Sequence, residues 1–291
     1  MNLIDIASWQ HGIDLPAVFS GNPSLGGVIV KATQGTSYVN PDYPAWAAWL
    51  ADNGKPLGLY HYLDLYGADA EARHFAQAAE PYIGRATLAI DYEGNTVRKG
   101  AKYLKACLDE VYRLTGVKAF VYCSLSIVQT NGLADIAAAG YPLWVAQYAD
   151  NNPVHGFVSD PWQRGSCSPF DKITMQQYTS HGRLTGWGNN LDFDLFHGDE
   201  DAWDKLAPAM GGSVLEPLKP ADPAVVAEVL MGYYGIGAKR VAELTNAGYD
   251  AESVQRKINE LYAIAQKCRP IVGNDMDYIL SIVKIMRQME V

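Results

Sequence analysis

Eight short apolar, β-rich runs constrain this chain most: Leu3 to Ile6, Gly27 to Lys31, Leu57 to Tyr62, Thr87 to Asp91, Ala119 to Cys123, Leu143 to Gln147, Ile173 to Tyr178 and Leu191 to Leu195. Helical patterns fill several of the gaps, at Tyr43 to Asp52, Glu71 to Ala79, Tyr103 to Leu114 and Ser124 to Gln129. Strands that alternate with helices pair in parallel. Most of the early runs are apolar on both faces, as strands covered by helices are. The spacing predicts an α/β fold, a TIM-like barrel whose last part is less regular. At 291 residues, 48% hydrophobic and 19% charged, the chain has ample material for a core and is not a disordered one.

Polar residues mark the ends of these runs. Seven of the eight carry one at or next to the C-terminal end: Asp5, Lys31, His61 with Tyr62, Asp91, Tyr122, Gln147 with Tyr148, and Gln176 with Gln177. The eighth has Asp192 near its start, followed by Asp194. In a parallel barrel the strand C-termini open on one face, where such enzymes keep their sites, so residues far apart in sequence are expected in one cleft. Asp91-Tyr92-Glu93 is the sharpest feature. Residues i and i+2 of an extended strand share a face, with Cβ atoms roughly 6 to 7 Å apart, so both acids point into the cleft while Tyr92 turns away. Two crowded acids separate their pKa values, which leaves one as a proton donor and the other ionised, as glycoside hydrolysis requires. Asp5 and Asp192, on the first and last strands, become neighbours when the barrel closes. Lys31 is expected as the counter-ion of these acids, with a Schiff-base role as the rival reading. Tyr60, Tyr62, Tyr122, Trp144 and Tyr148 supply flat rings for sugar faces, with core packing as the alternative for each, while His61 reads as structural.

Composition narrows the partners. A net charge of -9 argues against nucleic acid. No apolar stretch is long enough for membrane insertion, and the N-terminus lacks the basic flank and apolar core of a signal peptide. Cys107, Cys123, Cys167 and Cys268 are scattered without a CxxC pair, so neither a zinc site nor a disulfide framework is indicated, and a reduced cytoplasmic origin is expected. Residues 209–223, with Gly211, Gly212, Pro217, Pro220 and Pro223, read as a linker. They divide a barrel at residues 1–208 from a small all-α helical bundle at 224–291. Amphipathic patterns there cover Val225 to Leu230, Lys239 to Thr245 and Ser253 to Ala265, with Gly248 as a helix stop. Gly232-x-x-Gly235-x-Gly237 follows a helical pattern instead of a strand and is not a nucleotide loop. The apolar helical pattern within Cys268 to Val291 is expected to pack on the bundle or to form an oligomer contact.

Taken in order, several strings resemble the glycoside hydrolase family 25 lysozymes, the Chalaropsis-type N-acetylmuramidases: Asp5-Ile6-Ala7-Ser8-Trp9-Gln10, Val30-Lys31-Ala32-Thr33-Gln34-Gly35-Thr36, Gly58-Leu59-Tyr60-His61-Tyr62, Asp91-Tyr92-Glu93, Leu143-Trp144-Val145-Ala146-Gln147-Tyr148, Gln177-Tyr178-Thr179-Ser180 and Leu191-Asp192-Phe193-Asp194. The resemblance implies an irregular (β/α)5(β)3 barrel that cleaves the β-1,4 bond between N-acetylmuramic acid and N-acetylglucosamine, with no metal or other cofactor. It implies Glu93 as general acid/base. Asp91 would be its partner, as nucleophile or, preferably, by orienting the substrate's 2-acetamido group; Asp5 and Asp192 would tune charge and hold substrate. Lys31, Tyr60, Tyr62, Tyr122, Trp144, Gln147, Tyr148 and Gln177 are the expected substrate-binding residues. Gln34 and Gln176 depart from the common pattern, as does Asp194, which stands where an Asn is frequent.

The run from Gly232 to Asn259 resembles the type 7 cell-wall-binding repeat, with Tyr234 in place of the usual Trp. That resemblance implies binding of peptidoglycan, with Tyr234, Arg240, Tyr249 and Asp250 as candidates. Residues 1–211 hold 14 basic and 22 acidic side chains and the remainder 9 and 10, so the near-neutral module is the expected anchor on an anionic wall. A phage endolysin, made in the host cytoplasm and released to the wall, is the expected role. A non-catalytic peptidoglycan-binding protein and another barrel glycosidase, such as a chitinase, are the alternatives.

Overall fold

The computed structural model describes residues 1–207 and 219–272, with side chains to Ala263 apart from those of Ala238, Ala242 and Asn246. All eight apolar runs are strands, and two short pieces join them: β1 (Asn2–Ile6), β2 (Leu25–Gln34), β3 (Tyr38–Val39), β4 (Leu57–Tyr62), β5 (Ala86–Asp91), β6 (Phe120–Ser124), β7 (Leu143–Ala146), β8 (Val154–His155), β9 (Met175–Arg183) and β10 (Leu191–Phe196). The order β1-β10-β9-β7-β6-β5-β4-β2, with β2 paired back to β1, closes an eight-stranded barrel. β3 folds back on β2, and β8 pairs with β9.

The helices of this unit are α1 (Leu15–Gly21), α2 (Tyr43–Asp52), α3 (Ala68–Ala79), α4 (Ala101–Thr115), α5 (Leu125–Thr130), α6 (Ala134–Ala138) and α7 (Glu200–Asp204). Their ends follow local chemistry. Asp14 accepts the Ala17 N–H at 3.1 Å ahead of α1, Ser124 accepts that of Ile127 ahead of α5, and Gly116 takes the left-handed conformation that ends α4. Pairing is parallel from β1 through β2, β4, β5, β6 and β7 to β9. The expectation of parallel pairing fails for the eighth run: β10 is antiparallel to both β9 and β1. Residues 184–190 are too few for the helical crossover that a parallel connection needs.

Strand alternation sorts the side chains into two layers. Outward residues such as Ile4, Val28, Val30, Leu59, Leu88, Ile90, Val121 and Val145 pack under the helices. Inward residues Leu3, Ile29, Tyr60, Ala89, Phe120, Trp144, Met175 and Phe196 fill the barrel, and Trp203 from α7 joins them. Trp203 is fully buried, 6.2 Å from the Phe120 ring and 5.2 Å from that of Phe196. Trp203→Ala is therefore expected to destabilise the barrel by about 3–5 kcal/mol through the cavity it leaves. A fall in the thermal midpoint Tm under about 2 °C in calorimetry would contradict that reading.

The chain divides into two compact units, Met1–Leu215 and Glu216–Val291. The second contains α8 (Pro223–Leu230), α9 (Gly237–Asn246) and α10 (Ala251–Val272), packed through Val225, Val226, Val229, Leu244, Val254, Ile258 and Leu261. Most of the expected linker lies outside the described residues, but its last part does not behave as one. Lys219 pairs with Tyr249, and Asp222 caps α8 by accepting the Val225 N–H at 2.8 Å. A Pro-rich extended segment and a linker share one composition, which is why sequence alone merges them. The apolar pattern beyond Val272, with the oligomer contact it suggested, lies outside the described residues. Among the described residues no helix is long and apolar enough to cross a membrane.

Candidate active site

On six of the seven parallel strands a polar inward residue stands two positions beyond an apolar or aromatic one, the exception being β7, where Ala146 follows Trp144. Asp5 follows Leu3, Lys31 follows Ile29, Tyr62 follows Tyr60, Asp91 follows Ala89, Tyr122 follows Phe120 and Gln177 follows Met175. The first member of each pair fills the barrel, and the second opens at its C-terminal face. Because β10 runs the other way, its start opens there, which explains why the eighth run carries Asp192 at its beginning. Asp5 and Asp192 are register partners.

A cleft of about 230 Å³ results, lined by Asp5, Ala7, Trp9, Gln10, Lys31, Tyr60, Tyr62, Asp91, Glu93, Tyr122, Trp144, Gln177 and Asp192. Every expected residue of this site except Gln147 and Tyr148 is among them. Gln147 is turned away: its amide donates to the Arg164 carbonyl at 2.5 Å and accepts the Arg164 N–H at 3.1 Å, clasping a loop. Tyr148 acts behind the wall by donating to Gln177 Oε1. Trp144 and Tyr60 are nearly buried, so they form the floor of the cleft, the packing alternative, and offer no open ring face. The exposed platform is Trp9, 89% accessible on a short 3-10 turn (Ser8–Gln10) just past β1, which sequence reasoning missed. A cavity of about 660 Å³ lies at the other end of the barrel, where Leu143, Thr174 and Phe196 meet α6 and α7, but it gathers no pair of carboxylates.

Asp91 ends β5, and Glu93 continues in extended backbone before Gly94, with φ of 58°, turns the chain aside. Tyr92 points the other way, fully buried, donating to the Val97 carbonyl at 3.2 Å and accepting from Asn131 at 2.7 Å. Both acids thus face the cleft from one strand. Asp91 is buried, with Oδ1 lacking any partner, whereas Glu93 stands exposed at the mouth.

Burial raises every acid here. The pKa of Asp91 is pushed well up by desolvation and then by Glu93. That of Glu93 is raised by partial desolvation, against the pull of Lys31. Asp5 is raised to about 6 by burial, against hydrogen bonds from Gln177 and Asp194. Asp192 is raised to about 8 by burial, then by Asp5 and Glu93. Lys31 donates to Gln34 at 2.8 Å and lies 4.7 Å from the Tyr62 ring centroid. Burial lowers its pKa, and Asp91 and Glu93 oppose that. Among the described residues Lys31 makes no ion pair within 4.0 Å, so it meets the acids at longer range than a contact counter-ion.

Gln177 organises the far wall: its Oε1 accepts from Tyr122 at 2.7 Å and from Tyr148, and its Nε2 donates to Asp5 at 2.6 Å. His61 is structural as expected, buried between Thr33 at 2.8 Å and Glu71 at 3.2 Å. Among the described residues no group of three or more His, Cys, Asp or Glu side chains is arranged to hold a metal ion.

The helical unit has a cavity of about 320 Å³ lined by Val229, Leu230, Gly232, Gly235, Ile236, Arg240, Gln255, Ile258 and Tyr262. Of the four candidates there, only Arg240 lines it, donating to the Gly235 carbonyl at 3.1 Å and to Gln255 at 3.2 Å. The other three hold the fold. Tyr249 donates to Asp222 at 3.2 Å, Tyr234 donates to Glu228 at 3.2 Å, and Asp250 accepts the first N–H groups of α10. Ile236, 79% exposed, and Gln255 also line the cavity and are not among the four candidates.

The family model described as glycosyl hydrolases family 25 matches residues 4–187, and that of the CW_7 repeat matches residues 223–262. The chain is 27% identical over 266 residues to the lysozyme of Streptococcus phage Cp-7, covering 89% of this chain and 69% of that one. Among solved structures it resembles a lysozyme from Streptomyces coelicolor, with a TM-score of 0.58 and 23% identity over 71% of this chain and 96% of the other. It also resembles the catalytic domain of endolysin ply40 from bacteriophage P40 of Listeria monocytogenes, with a TM-score of 0.56 and 26% identity over 71% and 97%.

Proposed function

The chain belongs to glycosyl hydrolases family 25, and on that premise we propose that it is a peptidoglycan hydrolase that cleaves the β-1,4 bond between N-acetylmuramic acid and N-acetylglucosamine. The observation that carries this reading is the convergence of Asp5, Asp91, Glu93 and Asp192 with aromatic rings in one cleft. A binding protein has no use for several buried carboxyls whose mutual repulsion it must bear.

Glu93 is the general acid. It is accessible to a glycosidic oxygen at the cleft mouth, and partial desolvation raises its pKa, which favours the protonated form that a general acid needs. Asp91 stands on the same side, so it is badly placed for attack on the opposite face of the sugar and, as part of the cleft wall, well placed to accept the N–H of a 2-acetamido group. That hydrogen bond favours the ionised form and draws the Asp91 proton off when substrate arrives. The acetamido oxygen then attacks C1, Glu93 protonates the leaving oxygen, and water opens the cyclic intermediate with Glu93 as base, an exception to the two-carboxylate scheme. Trp9 and Tyr62 offer ring faces to the glycan, and Asp5 and Asp192 line the cleft wall where polar groups of the sugar meet it. The helical unit holds the enzyme on its polymer through the cavity beside Arg240, which raises the local concentration of substrate. A phage endolysin role follows from the same reading.

Digestion of purified peptidoglycan, followed by borohydride reduction and mass spectrometry, tests the bond. Fragments ending in reduced muramic acid are expected. Reduced glucosamine ends would mean a glucosaminidase, activity on chitin alone would mean a chitinase, and no soluble fragments would leave a binding protein.

A further inference from the structure

Asp194 lies on β10 one inward position below Asp192 and has no exposed surface. Its Oδ1 accepts the Trp144 indole N–H at 2.8 Å. Its Oδ2 is buried and receives no donor; on the paired strand β1 its register partner is Leu3, and the next inward residue toward the cleft is Asp5. Two carboxylates side by side in a dry site repel, whereas one proton between them turns the contact into an O–H···O⁻ hydrogen bond. The surroundings decide which oxygen carries it. Asp5 already has a dedicated donor in Gln177, whose amide is fixed by Tyr122 and Tyr148. Asp194 has only the indole N–H, which occupies Oδ1 and leaves Oδ2 free to bear the proton.

We propose that Asp194 is a positioning residue: it carries a proton on Oδ2 at neutral pH and donates it to Asp5, which is thereby held as an oriented carboxylate in the cleft wall. This rests on the reading of the cleft as a glycosidase site. An oriented Asp5 carboxylate gives the cleft wall a fixed acceptor for the hydroxyl and N–H groups of a bound sugar. The other titratable groups facing Asp194 are Asp192 on its own strand, Tyr178 on β9 and Tyr148 beyond β7. The two tyrosines are themselves pushed upward, so neither supplies a charge near neutrality.

The test compares the full-length wild type with Asp194→Asn and Asp194→Ala, by Tm against pH and by initial rate of peptidoglycan digestion. An amide supplies the same donor at every pH. A native Asp194 that keeps its proton while the unfolded chain releases it above about pH 4 costs the wild type stability as pH rises. The Tm advantage of Asp194→Asn over wild type is therefore expected to widen from about pH 4 to about pH 8. Asp194→Asn should keep most of the rate that Asp194→Ala loses, a loss of about tenfold or more. A Tm difference that is flat or narrows with pH, or an Asn variant as impaired as Ala, would overturn the proposal. If the wild type releases no fragments, the glycosidase reading fails, and the Tm comparison still decides where the proton sits.

Discussion

Glu93→Gln is expected to lower the rate of peptidoglycan digestion by about 10²- to 10⁴-fold, the usual contribution of a positioned general acid, while Tm stays within about 2 °C of wild type. The amide keeps the shape of the side chain and removes only its proton. The local fold uses Glu93 through its backbone: its carbonyl accepts the Thr96 hydroxyl at 2.7 Å, and Gly94 makes the turn whatever side chain precedes it. Removing one of several crowded acids also relieves repulsion in the cleft, so stability should not fall. The wild-type pH profile carries the same information. Glu93 works protonated and its pKa is raised, so activity persists to higher pH than an ordinary glutamate allows and is lost as pH rises through that value. Initial rates of both proteins across pH, with Tm of each, make the measurement. A variant that keeps a third of the wild-type rate would move the acid role to another carboxyl, and a large drop in Tm would make Glu93 structural.

The barrel was legible in the sequence because its strands are buried on both faces and announce themselves as continuous apolar runs. What escaped was direction. A run of apolar residues reads the same whether parallel or antiparallel, and only the short connection before Leu191, with Asp192 at the wrong end of its run, betrayed β10. β3 and β8, two residues each, are too short to carry a pattern. Candidate site residues are legible through the period of two, and two of the polar residues at strand ends fall on the other parity. With Trp144 inward, Gln147 three positions on falls on the outward parity, as does His61 next to Tyr60 and Tyr62, and both serve the fold.

Trp9 belongs to no periodic element, and a three-residue turn gives no signal that separates a cleft wall from a loop. In the helical unit the missed signal was present: Asp250 ahead of Ala251-Glu252-Ser253 is a helix cap by type and spacing, so its carboxyl was spoken for before any ligand was considered. Arg240 escapes that fate because its guanidinium reaches a backbone carbonyl and an amide and still faces the cavity.

Asp91→Asn is expected to cost about 10²- to 10³-fold in rate, the scale of losing one charge aimed at the developing positive centre, and the manner of its failure separates the two roles open to Asp91. A nucleophile forms a covalent sugar ester and needs its carboxyl across the scissile bond about 5–5.5 Å from the acid/base. Asp91 instead shares a strand face with Glu93 and is largely buried in the cleft wall. A carboxyl so placed suits an N–H donor of the substrate better than a carbon. With substrate assistance, an activated 2-fluoro glycoside of muramic acid leaves the wild-type mass unchanged. Peptidoglycan whose muramic acid lacks the N-acetyl group is then cleaved as poorly by wild type as normal peptidoglycan is by Asp91→Asn. Because the acetamido group and Asp91 act as a unit, the variant on the altered polymer should be little worse than either change alone. A stable sugar adduct on an Asp91 peptide would make the residue a nucleophile. Full activity on the deacetylated polymer, with no adduct, would leave Asp91 neither role and shift the second carboxyl of the reaction to Asp192, its neighbour in the same cleft.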